Sequence, residues 1–148
     1  MNSVPNLLPL DDAVLALIAD VTGCPSDIAR APLIEGSSNS APPPYTIVYP
    51  MPGGRGFSGP GFAAPNADVV VYYQVRSVGE RRDQVRALSD RVRQAFLARE
   101  EGGAFVHALE IENGSVMDRW PEGSPGMLRR DGSLFYVDED YCVGVTGS

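Results

Sequence analysis

The sequence predicts an α+β fold: a mostly antiparallel β-sheet packed by two amphipathic helices, with a long Gly/Pro-rich hairpin loop. Two observations carry most of this. Residues 68–76 are rich in valine and tyrosine and free of glycine and proline, which reads as a strand. Directly after it, Val85, Leu88, Val92, Ala95 and Phe96 recur at three- and four-residue spacing, the apolar stripe of a helix over 79–99. A third is the short period of the remaining chain, where turn signals separate brief apolar runs and point to hairpins.

Within the strand, Val69, Val71, Tyr73 and Val75 form an apolar row, and Val70, Tyr72, Gln74 and Arg76 a mixed one. Ser77 and Glu80 have the spacing of a capping box for the helix that follows. An apolar sheet face beside an amphipathic helix is most simply buried as two layers.

Taken in order, residues 1–10 read as an N-terminal arm. Asp11 or Asp12 caps a helix over 13–21, with Val14, Leu15, Leu17, Ile18 and Val21 apolar and Gly23 as its stop. Residues 25–30 suggest a short helical turn, and 41–44 a polyproline spacer. A strand over 45–49 ends at Pro50 and Pro52. Residues 51–67, dense in glycine and proline, form the flexible hairpin loop, whose arms 45–49 and 68–76 pair antiparallel.

Beyond the long helix, Phe105, His107, Leu109 and Ile111 alternate with more polar neighbours, predicting a half-buried strand. Asn113-Gly114 signals a turn into a strand over 116–120, followed by a loop over 121–125. Residues 127–130 are a candidate pairing segment and Asp131-Gly132 a second turn. Residues 134–137 and 141–145 close the chain as one interrupted strand or two, around a solvated acidic turn at Asp138, Glu139 and Asp140.

At 148 residues the chain is a single domain, long enough to bury about 70% of its unfolded surface. No apolar run reaches the roughly 18 residues that span a membrane, and the first residues lack the pattern of an export signal. Cys24 and Cys142 are accordingly expected as two reduced thiols. The net charge is −7, and every basic residue is arginine. Such a balance argues against nucleic-acid binding over the whole surface, which needs a basic stripe.

Chemical motifs are thin. Gly54 to Gly59 matches G-x-G-x-x-G, but Pro60, Gly61 and Pro65 forbid the helix that would hold a pyrophosphate. Ser58 falls short of a nucleophile elbow because Pro60 occupies the last glycine position. His107, the one histidine, lies on the apolar face of its segment, and no cofactor or metal is expected. More informative are Arg82, Arg86 and Arg93, which share one flank of the long helix as either a solvated face or a protein contact. In the glycine loop Arg55, Phe57 and Phe62 supply a charge and two apolar anchors. These six residues are the candidate assembly contacts.

In its order of elements the chain resembles the tail terminator (tail completion) proteins of long-tailed bacteriophages and prophages. The likeness spans roughly residues 11–146: the opening helix, two strands joined by a long loop, the 69–75 strand running into the Val85–Phe96 helix, and an antiparallel set ending at 141–145. The resemblance implies a non-enzymatic virion protein, a homohexameric ring on the head-proximal end of the tail tube. Its partners would be its own copies, the major tail tube protein and a head-side connector, with DNA only as passing cargo. Two other readings compete: another small head–tail connector, or a small-molecule-binding or hydrolytic domain using His107 or the glycine loop.

Overall fold

The computed structural model describes residues 7–56, 69–111, 114–123 and 126–147. Its elements run α1 (Leu7–Thr22), β1 (Ser26–Ile28), β2 (Tyr45–Gly56), β3 (Val69–Gly79), α2 (Arg82–Leu97), β4 (Gly114–Glu122), β5 (Arg129–Asp131) and β6 (Leu134–Gly147). The strands form one sheet in the order β1-β2-β3-β6-β4, with β5 beside β6. All pairings are antiparallel except β1 with β2. The α+β class and the mostly antiparallel sheet with two helices agree with the sequence.

β3 is the centre. The row Val69, Val71, Tyr73, Val75 is buried beneath the helices, together with Tyr141, Val143 and Val145 of β6. α1 contributes Leu10, Val14, Leu17 and Ile18, and α2 contributes Val92, Ala95 and Phe96 to the same core. Phe96 is fully buried and stacks on Tyr141, ring centroids 4.3 Å apart and nearly parallel. Leu97, one step round the helix from Phe96, is half-buried and packs against the core edge. A smaller cluster of Tyr45, Ile47 and Val78, with Tyr49, Leu134 and Tyr136 against it, lies on the other row of the same strands.

Several boundaries differ from expectation, each for a local reason. α1 begins at Leu7, so residues 7–10 are helix and not arm. Pro9 falls in the first turn, where a missing N–H costs nothing. Leu10 is wholly buried one turn before Val14. Asp11 is therefore not the cap; it accepts a 2.5 Å hydrogen bond from the Tyr73 hydroxyl. Burial, and then Asp11, push the Tyr73 phenol far above its ordinary range.

The capping box does not form, because Ser77 is buried in the β3 ladder between Thr46 and Val137. α2 starts at Arg82, three residues later than expected, behind Arg81, which makes no side-chain cap. Instead the Glu80 N–H donates to Gln84 Oε1 at 2.8 Å. Residues 26–28, expected as helix, form β1, with the Ser26 and Thr46 hydroxyls in hydrogen-bond contact across the parallel pair.

β2 does not stop at Pro50. β1 covers only Thr46–Val48, so beyond it β2 is an edge, where proline is tolerated. Residues 52–54 fall in a register shift between Met51 and Arg55. Residues 51–56 of the expected loop are thus strand, and 57–67 lie outside the described residues. The strand expected around 105–111 is absent: one isolated bridge joins Arg99 and Phe105. Its burial nevertheless alternates, with Leu109 buried between exposed Ala108 and Glu110. Among the described residues β4 pairs with β6 alone.

The expected acidic turn is also absent. β6 runs unbroken through Asp138, Glu139 and Asp140, opposite Arg76, Val75 and Gln74. β5 and the turn at Gly132 (φ +61°) form as the sequence suggests. Gly126 approaches β6 so closely that a Cβ there would lie 2.0 Å from the Asp138 carbonyl oxygen. Gly126→Ala is expected to cost about 1–3 kcal/mol in urea denaturation, as overpacking does. Gly102→Ala, where nothing lies within 4 Å, serves as the near-neutral control.

Candidate assembly surface

The acids of β6 organise two opposite surfaces, because successive strand residues face opposite sides. Asp138 projects to the face away from the helices, where Arg76 holds it through two hydrogen bonds of 2.8 and 3.0 Å. The same guanidinium sits 4.3 Å over the Tyr136 ring and 5.8 Å from that of Tyr49. Its hydrogen bond to Asp138 raises the Arg76 pKa further. Gln74, Arg76, Met127, Arg129, Tyr136 and Asp138 line a groove of ≈ 400 Å³ on this face. Met127 is 71% exposed there, the most exposed large apolar side chain among the described residues.

Glu139 projects to the helix side and ties α2 to the sheet. Ser89 Oγ donates to one carboxylate oxygen at 2.7 Å and Arg93 to the other at 2.5 Å. The Glu139 side chain keeps only 11% of its surface exposed, against 39% for Arg93. Beneath them the Tyr141 phenol is raised, first by burial and then by Glu139.

A buried cation closes the far end of α2. Arg119 of β4 donates to the carbonyls of Ala95 and Phe96 at 3.4 Å each and to that of His107 at 2.7 Å. The last carbonyls of a helix carry partial negative charge, so a guanidinium fits there without a carboxylate. Burial, then Arg99, lower its pKa. Phe105 lies between the two guanidiniums, 4.1 Å from Arg99 and 4.3 Å from Arg119.

Asp140 has the least compensated charge of the three acids. One of its oxygens is buried without a partner, and burial raises its pKa; a Gln74 hydrogen bond opposes this, while Asp138 and Glu122 add to it. The fold therefore holds the proton more tightly than the unfolded chain does. That contribution is present below the unfolded pKa and is lost as pH rises through the raised folded value. Asp140→Asn is expected to be more stable than the parent at about pH 7, the gain closing toward about pH 3, in urea titrations across that range.

Of the six sequence-derived contacts, Arg82 and Arg86 are exposed on α2. Arg93 is turned inward to Glu139. Arg55 lies in β2 opposite Val70, on the outer edge of the sheet. Phe57 and Phe62 lie outside the described residues, as does Ser58. The structure thus does not gather these positions into one patch among the described residues. It places instead a face that spacing alone did not reveal, Arg76–Asp138 among tyrosines. Opposite charges 62 residues apart give no local signal.

His107 contributes its carbonyl to Arg119, and its ring is half-buried. Described hydroxyls bond elsewhere: Thr22 to the Ile18 carbonyl, Ser89 to Glu139. Cys24 and Cys142 are not joined in a disulfide, and the buried Cys142 donates its Sγ–H to Glu122 at 3.3 Å. Among the described residues no three His, Cys, Asp or Glu side chains are grouped to hold a metal, and no helix is long and apolar enough to cross a membrane.

This arrangement, a six-stranded sheet with both helices on one face, defines the chain by fold class. No protein family and no curated protein matches the sequence. Among solved structures, a chain from the "Virion of native gene transfer agent (GTA) particle" has a TM-score of 0.56 at 14% identity, covering 94% of this chain and 92% of that one. At that identity the likeness is one of fold.

Proposed function

We infer that the chain is a structural protein of a phage-like virion, and specifically a tail terminator. The observation that carries this reading is the near-complete mutual coverage with a chain of a gene transfer agent virion. A match end to end on both chains means the whole fold is shared, not a common submotif. The element order that resembles tail terminators supports the same reading from the sequence. Copies of the chain would close a six-membered ring on the head-proximal end of the tail tube. That ring stops tube growth and offers the head-side connector a surface. DNA would pass through the lumen as cargo, and the net charge of −7 per copy disfavours its sticking there. Arg82 and Arg86, exposed along α2, are the contacts we assign to neighbouring virion proteins.

Deleting the gene in a producing strain tests this. Expected are tails of uncontrolled length that fail to join filled heads, seen by electron microscopy. Normal tails lacking only the head joint would make the chain a connector of the neck. Particles normal in every respect would remove the virion role. His107→Ala is expected to leave particle yield unchanged; a loss of yield with a folded protein would reopen a catalytic reading.

A further inference from the structure

An acidic turn stands at the end of α2 and a cationic groove near its start. After Leu97 the chain doubles back on itself. The Val106 N–H donates to the Ala98 carbonyl at 2.9 Å, Arg99 bridges to Phe105, and the Glu100 N–H donates to the Ala104 carbonyl at 2.7 Å. The Gly103 N–H closes the turn on the Glu100 carbonyl at 2.8 Å. Arg99 also donates to the Gly103 carbonyl and to Asp118, and the Phe105 ring is held between Arg99 and Arg119. Glu100, Glu101 and Gly102 are exposed at the tip, and neither glutamate has an ion-pair partner among the described residues. The groove, of ≈ 330 Å³, lies where the first turns of α2 face Cys24, just past the end of α1. Ala87, Leu88, Arg81, Asp83 and Arg91 line it with that thiol. Asp83 answers Arg81 in an exposed pair, whereas Arg91 has a single long hydrogen bond, 3.5 Å to the Thr22 carbonyl. One guanidinium is therefore left over, with most of its donors open.

We propose that the Glu100–Gly102 turn of one copy docks in the α2 groove of the next, with a glutamate against Arg91. This deepens, and rests on, the ring reading above. The sixteen residues of α2 extend about 24 Å, so a copy's own turn cannot reach its own groove. A second copy can. The two surfaces differ, so the contact is head-to-tail, the kind that builds rings when its rotation closes. Their charges are opposite, which steers the encounter and fixes its orientation. This matters in a chain of net charge −7, whose copies otherwise repel one another. The turn is already held by its backbone bonds and by Phe105 between two guanidiniums, so docking orders little that was free. Arg82 and Arg86 take no part in this contact: the groove uses the flank of α2 that carries Ala87 and Arg91.

The test uses the full chain with Gly102→Cys, which keeps both glutamates and places its Cβ where nothing lies within 4 Å. The native Cys24 in the groove is the intended partner. Within one copy the helix from Ala87 to Leu97 alone separates the two by about 15 Å, too far for a disulfide, so any bond between them joins two copies. Mild oxidation is expected to give a ladder of covalent oligomers ending at one closed species, and none when Cys24→Ser is added. Glu101→Arg and Arg91→Glu are each expected to reduce ring formation about tenfold, read by sedimentation and electron microscopy, and the double swap to restore it. Thermal melts confirm that each variant is folded. Rings from the parent chain with no 24–102 bond and no effect of the swaps would overturn the docking and leave the ring. Swaps that spare the ring but block head joining would give the groove to a different acidic partner, and overturn the docking too. A parent chain that forms no ring, alone or in particles, would overturn both readings.

Discussion

Phe96→Ala is expected to lower stability by about 3–5 kcal/mol, among the largest losses available to a single substitution here. The ring is fully buried and lies flat on Tyr141, itself in the centre of the sheet. Removing it opens a cavity between α2 and β6, and the neighbouring β-branched side chains have little rotamer freedom to fill it. For a domain of this size the melting temperature should fall by roughly 10 °C or more. Leu97→Ala, at the half-buried edge, is the internal standard and should cost clearly less. Equal losses at the two positions would mean that α2 is rotated from the phase described.

Arg93→Ala should be the second large effect, about 2 kcal/mol by urea denaturation. Removing one partner of a buried ion pair typically costs ~3–5 kcal/mol, because the other charge is left unpaired. The figure is reduced here because Arg93 is 39% exposed and water will reach the vacated site. Glu139 would keep only the Ser89 hydroxyl. Adding Glu139→Gln should recover most of the loss, since the unpaired charge is then gone. A cost within about 0.5 kcal/mol for Arg93→Ala would show the pair to be ornamental, and Arg93 would return to the set of residues free for assembly.

The phases of β3 and α2 were legible because each rests on its own periodicity. Period two separates Val69, Val71, Tyr73 and Val75 from their neighbours, and the 3.6 period gathers Val85, Leu88, Val92 and Phe96. Local reasoning failed where a distant partner decides. Asp138, Glu139 and Asp140 have poor strand propensity, yet Arg76 and Arg93 hold the first two inside a central strand. β1 is three residues, two of them polar and too few to show a period, and only its pairing with β2 makes it a strand. Ser77 has the right spacing for a cap, but the ladder to Thr46 and Val137 claims it first. Around Phe105 to Ile111 the alternation marks Leu109 as buried and Phe105, His107 and Ile111 as more covered than their described neighbours, while among the described residues only an isolated bridge forms there. Arg82 and Arg86 were legible as an exposed flank of α2.

That strand order also sets a timetable for synthesis. β6 follows every other strand of the sheet in the chain, yet it lies between β3 and β4. Until it emerges from the ribosome, β3 has one ladder partner in place of two, and β4 and β5 have none. The helices cannot close over a finished core either, since Tyr141, Val143 and Val145 arrive with the same strand. Cooperative folding therefore waits on the most sequence-distant pairing, and nascent chains remain open to proteases until then. A chain cut short before β6 lacks the strand that joins β3 to β4, so it cannot reach the folded state and is left to degradation.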